Sequence, residues 1–176
     1  YRSAVKNQFD LTLAQPIFDA DGQTLLGVMA VDMSLARLTE LIRSTRISDH
    51  AVTYLVDGQG RMVASSVDEE LSVVVNDKHQ RITPLQSREA LVRESYAQLF
   101  APDRQQSRGE QGLVRLETSQ DWLQRLGLAS NRLIALHRPF GGKYQLDWQL
   151  VVVAPEQDFT AHVLQARQWA LLAMAA

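Results

Sequence analysis

The four histidines of this chain, His50, His79, His137 and His162, are its best candidates for metal binding or proton transfer. Both kinds of chemistry need a partner ligand or carboxylate at a short spacing on the same or a neighbouring element. None of these histidines stands at such a spacing from another histidine or from a close acidic residue. The sequence therefore predicts no metal site.

Two acidic, glycine-containing segments could also carry chemistry, at residues 19–22 (DADG) and 57–60 (DGQG). In the first, glycine comes too early for a calcium loop and the closing glutamate is missing. Neither segment resembles a loop that cradles phosphate. Ser65 and Ser66 follow an apolar run without the motif that surrounds a nucleophilic serine. We therefore interpret both segments as turns, and we expect neither catalysis nor a cofactor in this region.

Composition restricts the possible partners and the kinds of site. The net charge is −2 and the pI about 6.1, so no basic field predicts nucleic-acid binding. The absence of cysteine excludes disulfides and thiolate sites. With 176 residues, 45% of them hydrophobic, the chain is long enough for one or two folded units.

Hairpins and one capped helix organise the first third of the chain. Residues 11–18 and 24–33 read as strands that flank the 19–22 turn. Ser34 is a suitable N-cap for a helix that ends near Thr45, with apolar positions at helical spacing. A second hairpin follows, with strands at 52–56 and 61–64 around the 57–60 turn.

The middle of the chain alternates between polar and regular segments. Residues 65–83 are expected to form an irregular loop. A helix is expected from Pro84, with Thr83 as its cap and Gln86 in its first turn. Its predicted buried stripe comprises Leu85, Val92, Tyr96, Leu99 and Phe100. Further strands are expected at 112–118, 131–140 and 146–154, and the valine-rich third of these is expected to be central.

The last residues predict a helix that approaches a membrane. Pro155 and the two acids after it suit the start of a helix. Residues 168–176 (QWALLAMAA) are apolar, but they supply about half of the roughly 20 residues that a span needs. We expect them to begin a membrane span that continues beyond this sequence. Trp169 then lies either at the membrane interface or in the core of a packed terminal helix.

These elements predict an α+β fold, with an antiparallel sheet, flanking helices and a C-terminal helix that leads into a membrane span. The expected division is 1–48, the end of one unit with a linking helix, then 49–157, a nearly complete second unit. Residues 158–176 form the exit helix and the start of the span.

The order of these motifs resembles a double Cache sensor domain, which is PAS-like. Residues 11–38 are similar to the end of the membrane-distal half, with Pro16, the 19–22 turn and the Gly-Val-x-x-x-Asp segment at 27–32. Residues 54–64 resemble the first hairpin of the membrane-proximal half, and 147–155 its last strand. The resemblance covers about 1–64 and 130–176.

Such domains lie on the periplasmic side of the inner membrane in bacterial chemoreceptors, histidine kinases of two-component systems, and diguanylate cyclases. The resemblance implies signal reception by this region, with catalysis in a cytoplasmic output domain. It also implies a homodimer and a small-molecule ligand, such as an amino acid or another amine.

The resemblance suggests two ligand-binding residues. Asp32 occupies the position of the aspartate that binds the ligand's amine, and Tyr1 matches the tyrosine of an Arg-x-Trp-Tyr stretch. A second interpretation of Asp32 is that it caps the following helix, beside or instead of Ser34. Only residues 2–10 separate Tyr1 from the first strand, where the family usually has another strand pair.

Two other functions stay open at this stage. The region could belong to a membrane-anchored enzyme whose active site lies elsewhere, although its acid–base residues are not clustered. It could also be a structural spacer that binds no ligand.

Overall fold

The computed structural model describes residues 9–45, 47–101, 111–118, 131–144 and 146–160. Its principal feature is a five-stranded antiparallel sheet, accompanied by two separate hairpins and by flanking helices. In chain order the elements are β1 (Asp10–Phe18), β2 (Leu25–Ser34), α1 (Leu35–Ser44), β3 (Val52–Asp57), β4 (Met62–Ser65), β5 (Ser72–Val75), β6 (Lys78–Arg81), α2 (Ala90–Leu99), β7 (Gly112–Glu117), β8 (Arg132–Phe140) and β9 (Trp148–Pro155).

The five-stranded sheet has the order β4-β3-β9-β8-β7, so β9 is its central strand. This confirms the prediction made from the valine run at 151–153. β9 pairs with β3 on one side and with β8 on the other, antiparallel in both cases. The α+β class predicted from the sequence is also confirmed.

Each face of the sheet packs against one helix. Successive side chains of a strand point to opposite faces. Tyr54 and Val56 of β3 therefore join Val92 of α2 in one buried cluster. Leu55, between them, joins Ile42 of α1 in a second cluster on the other face. The sheet thus forms the middle layer of a helix–sheet–helix sandwich.

Helix α1 begins as the sequence predicts. The Ser34 side chain accepts a hydrogen bond from the backbone N–H of Ala36 at 3.3 Å, and Thr45 is the C-cap. The backbone N–H of Leu35 donates to the carbonyl of Phe9 at 3.1 Å, which ties the helix to the β1–β2 hairpin. Because Ser34 occupies the N-cap position, the alternative that Asp32 caps this helix instead of Ser34 is wrong.

Residues 65–83 are not an irregular loop as predicted, because β5 and β6 form a hairpin within them. Its turn residues, Asn76 and Asp77, have φ values of 51° and 59°. Asparagine and aspartate tolerate this left-handed conformation, which a tight hairpin turn requires. The prediction failed because β6 (KHQR) is polar throughout and shows no apolar alternation.

The helix predicted from Pro84 begins later. Pro84–Gln86 forms only a 3-10 turn, in which the Ser87 N–H donates to the Pro84 carbonyl at 3.1 Å and the Thr83 N–H donates to Gln86 Oε1 at 2.9 Å. Glu69 then accepts hydrogen bonds from Ser87 Oγ and from the Arg88 N–H, which hold the chain extended. Glu89 caps α2 instead.

The predicted buried stripe of this helix needs one correction. Leu85 is exposed, because it lies in the 3-10 turn rather than on α2. Val92 and Leu99 are buried, and Tyr96 and Phe100 pack against the same cluster.

Several predictions fall outside the described residues. They concern Tyr1, Trp169 and the membrane entry expected after Thr160. Residues 156–160 are helical and follow β9 directly. No helix in the described ranges combines the length and hydropathy that a membrane crossing requires.

Candidate functional site

Asp32 lies near the end of β2, directly opposite Thr12 of β1. Its Oδ1 accepts a hydrogen bond from the Thr12 hydroxyl at 2.6 Å. The side chain is exposed, so the carboxylate also remains accessible to a ligand. Its predicted companion, Tyr1, lies outside the described residues.

The hairpin that carries Asp32 is apolar on both faces, and both faces are open. Leu26 and Val28 on one face are 64% and 60% exposed, and Met29 and Val31 on the other are 55% and 59% exposed. Strands with apolar residues on both faces are typical of sheets covered on both sides. Contiguous exposed apolar surface of this kind marks an interaction surface. Asp32 is therefore a carboxylate beside apolar surface that suits further packing.

A cavity of about 190 Å³ lies beside the five-stranded sheet, between the β3–β4 turn, the start of β9 and the end of α2. We call it the turn cavity. Its walls combine aromatic rings, carboxylates, an amide and the turn backbone. The lining residues are Val56, Asp57, Gly58, Gly60, Tyr96, Phe100, Asp147 and Gln149.

Asp57 organises the turn beside this cavity. Its Oδ1 accepts hydrogen bonds from the backbone N–H groups of Gln59 at 3.0 Å and Arg61 at 2.9 Å. Its Oδ2 forms an ion pair with Arg81 and lies 3.6 Å from Arg61 Nε. The charge of Asp57 is therefore already compensated by residues that do not line the cavity.

An apolar groove lies on the face of the sheet that carries α1. Its volume is about 230 Å³, and its walls come from α1, β3, β9 and the end of β8. Almost all of its surface is aliphatic or aromatic, including Leu38, Leu41 and Phe140. A groove with so little polar surface has few means of orienting a polar ligand, so it is a weaker candidate site for one.

A third polar arrangement joins the segment before β3 to the helix after β9. Asp158, in the helix after β9, accepts hydrogen bonds from Ser48 Oγ at 2.5 Å and from the His50 N–H at 3.0 Å. His50 Nδ1 lies 2.9 Å from Asp158 Oδ1. Burial raises the pKa of this carboxyl, but the hydrogen bonds from Ser48 and His50 together outweigh burial and lower it.

Sequence reasoning missed this contact because 108 residues separate its partners. The proximity follows from the sheet, since Val52 at the start of β3 pairs with Val153 near the end of β9. The segment that enters β3 and the helix that leaves β9 must therefore lie side by side. Within the described ranges, no three metal-binding side chains lie close enough to hold an ion.

No protein-family model matches the chain, and no curated protein matches it significantly. Solved structures do match. The extracellular domain of a candidate histidine kinase, mmHK1S-Z3, gives a TM-score of 0.51 at 18% identity, over 91% of this chain and 49% of that one. The sensory domain of the Campylobacter jejuni chemoreceptor Tlp3 gives 0.52 at 16% identity, over 89% of this chain and 47% of that one.

A second structure of the Tlp3 domain, with isoleucine bound, gives a TM-score of 0.50 at 13% identity, over 89% of this chain and 47% of that one. This chain thus spans about half the length of the domains it matches. It has the fold of extracellular, Cache-type sensory domains. The matched structures are extracellular or sensory domains, as the resemblance implied for the fold.

Proposed function

We propose that this region is the extracytoplasmic sensing part of a bacterial transmembrane signalling protein, located on the periplasmic side of the inner membrane. The observation that carries the proposal is the fold itself, which is shared with the extracellular domain of a candidate histidine kinase and the sensory domain of a chemoreceptor. The alternative of a membrane-anchored enzyme has no comparable support, since the matched structures are extracellular or sensory domains.

The proposed ligand is a small molecule with an ammonium group, such as an amino acid. Asp32 supplies an accessible carboxylate, and a carboxylate forms strong charge-assisted hydrogen bonds with an ammonium ion. A related fold, that of Tlp3, has been solved with isoleucine bound. Tyr1 is the second proposed contact. A ligand would change the receptor through different affinities for two of its conformations.

The proposed domain division explains the open hairpin. Residues 1–48 would end a membrane-distal unit, whose remaining strands would cover the apolar faces of β1 and β2. Residues 49–157 would form the membrane-proximal unit, and 158–176 would continue into the membrane. Dimerisation, and a kinase, chemotaxis or diguanylate cyclase output domain, belong to the same proposal.

The experiment begins with the parent gene. We expect an upstream membrane helix, an Arg-x-Trp directly before Tyr1, a completed span after Ala176 and a downstream signalling domain. The extracytoplasmic region defined in this way is then titrated calorimetrically with the twenty common L-amino acids.

At least one amino acid should bind, and Asp32→Asn should abolish or strongly weaken that binding. The matched control is Asp19→Asn in the hairpin turn, which removes the same charge elsewhere on this hairpin. A stop codon soon after Ala176 without an upstream helix would overturn the membrane-receptor proposal. Binding that Asp32→Asn leaves unchanged would instead disprove the role of Asp32. If no amino acid bound, the spacer alternative would gain support.

A further inference from the structure

We propose that the turn cavity is a second ligand site, separate from Asp32, and that it binds a small organic ammonium ion with Asp147 as counter-ion. The two places lie in different parts of the fold. Asp32 belongs to the two-stranded β1–β2 sheet, whereas the turn cavity is built on the five-stranded sheet. The proposal therefore does not depend on a ligand at Asp32.

The two carboxylates in the cavity wall differ in whether they have ion-pair partners. Asp57 already has ion-pair partners in Arg81 and Arg61. Asp147, by contrast, is exposed and has neither a hydrogen bond nor an ion pair with any residue that the structure describes. A ligand in the cavity can therefore compensate the charge of Asp147, whereas the charge of Asp57 is already compensated.

The Asp147 carboxylate packs closely against the β3–β4 turn. A Cβ atom added to Gly58 would overlap the Asp147 carboxylate. The carboxylate can therefore lie against the turn only because position 58 lacks a side chain. This close approach directs the charge toward the cavity, which is bordered by Gly58 and Gly60.

The remaining walls of the cavity supply aromatic rings and an amide. Tyr96 and Phe100 contribute aromatic rings whose centroids are 4.9 Å apart. Gln149 contributes an amide that is buried at the start of β9. Aromatic rings together with a carboxylate favour alkylammonium ions over anions and over neutral apolar molecules. A volume of about 190 Å³ limits the ligand to a small molecule.

The cavity also adjoins a buried polar residue. His137 of β8 lies on the same face of the sheet as Gln149, and its ring meets that of Phe100 edge-on at 6.3 Å between centroids. His137 Nδ1 is buried and makes no hydrogen bond within the described part of the chain. A buried polar side chain thus contacts one of the aromatic rings of the cavity wall, and its unpartnered nitrogen calls for an explanation.

The test is an NMR titration of the ¹⁵N-labelled 176-residue chain with choline chloride and with n-butylammonium chloride. The neutral isostere of choline, 3,3-dimethylbutan-1-ol, reports any purely apolar binding. We expect both ammonium ions to shift the amide signals of Gly58 and Gly60, and we expect the alcohol to leave them in place. Asp147→Asn should weaken this binding about tenfold or more, as expected for the loss of a charge-assisted contact.

Asp77→Asn, which makes the same charge change in the distant β5–β6 turn, is the matched control and should bind like the parent chain. Gly58→Ala is a second variant, which displaces the Asp147 carboxylate and should also weaken binding. Asp32→Asn should have no effect here. The proposal is overturned if neither ammonium ion shifts Gly58 and Gly60, or if Asp147→Asn binds as tightly as Asp77→Asn. Neither result would bear on the role proposed for Asp32.

Discussion

Asp158 Oδ1 lies 2.9 Å from His50 Nδ1, and this contact joins the helix that leaves the five-stranded sheet to the segment that enters it. The Asp158 side chain is only 5% exposed, and Ser48 and the His50 backbone also donate to it. In the proposed receptor, the same contact would couple the linker between the two units to the helix that enters the membrane.

Asp158→Asn should lower the free energy of unfolding at pH 7 by about 2 kcal/mol, the scale of hydrogen bonds to a charged group. The folded-state pKa of Asp158 is lowered, so its carboxylate is favoured by folding. Its contribution is complete above the unfolded-state pKa of about 4 and is lost as the pH falls through the lower folded-state value. Urea unfolding between pH 2.5 and 7 measures this dependence.

Asp49→Asn is the control for this prediction, since Asp49 is exposed in the same segment as Ser48 and His50. It should change stability by less than about 0.5 kcal/mol. If Asp158→Asn kept the full acid sensitivity of the parent chain, the contact would not have the energetic role assigned to it.

A second prediction concerns the buried hydrogen bond between Tyr54 and Ser95, whose oxygens are 3.0 Å apart. Ser95 Oγ also lies 2.6 Å from the carbonyl of Leu91. Tyr54→Phe should therefore cost only about 1 kcal/mol, because Ser95 keeps a partner. Ser95→Ala should cost more, about 2 kcal/mol, because it leaves a buried phenol without its partner. Chemical denaturation of both single variants and the double variant measures how much the Tyr54–Ser95 hydrogen bond contributes to stability.

The same tyrosine predicts an alkaline effect. Burial raises the pKa of Tyr54 well above its usual value of about 10, because the charged phenolate is disfavoured in the core. The unfolded chain therefore ionises first, and stability falls as the pH rises above 10. Tyr54→Phe should remove this component of the alkaline loss. Absorbance at 295 nm during unfolding shows it directly, and an unchanged alkaline slope in Tyr54→Phe would contradict the assignment.

Much of this architecture is predictable from local sequence signals. The turns at 19–22 and 57–60, the Ser34 cap and the valine run of β9 all act within a few residues, and the structure confirms each of them. Local signals failed where a distant group decided the outcome. Glu69 interrupts the helix expected after Pro84 by accepting hydrogen bonds from residues 87 and 88.

The candidate sites also differ in whether local sequence signals or distant contacts determine them. Asp32 could be selected from the sequence because it belongs to a contiguous motif, and the structure adds that Ser34, not Asp32, caps α1. The turn cavity could not be predicted, because it needs Gly58, Tyr96 and Asp147 together. These residues are brought into contact only by the pairing of β3 with β9 and the packing of α2 on the sheet.

A third prediction separates the two roles of Asp57. Asp57→Asn keeps an oxygen that can accept from the Gln59 and Arg61 N–H groups, but it removes the ion pair with Arg81. We expect a loss of about 1 kcal/mol for this partly exposed pair, and the loss should shrink in 1 M salt.

Asp57→Ala removes the turn hydrogen bonds as well, and it should cost about 1 to 2 kcal/mol more than Asp57→Asn. Urea denaturation at low and high salt measures both variants. Equal losses for the two variants would show that the turn hydrogen bonds contribute nothing, contrary to this prediction.

The last prediction concerns the open hairpin. Leu26 and Val28 are about as exposed as surface residues, so replacing both with lysine should leave the unfolding free energy of the 176-residue chain within about 1 kcal/mol of the parent. The same change should reduce self-association, since charged residues on exposed strands oppose edge-to-edge and face-to-face pairing. Sedimentation measures the association.

In the complete extracytoplasmic region, where we propose that this face is covered, the double substitution should instead be strongly destabilising. Equal, small effects in both chains would argue that the face stays open and would contradict the proposed membrane-distal unit.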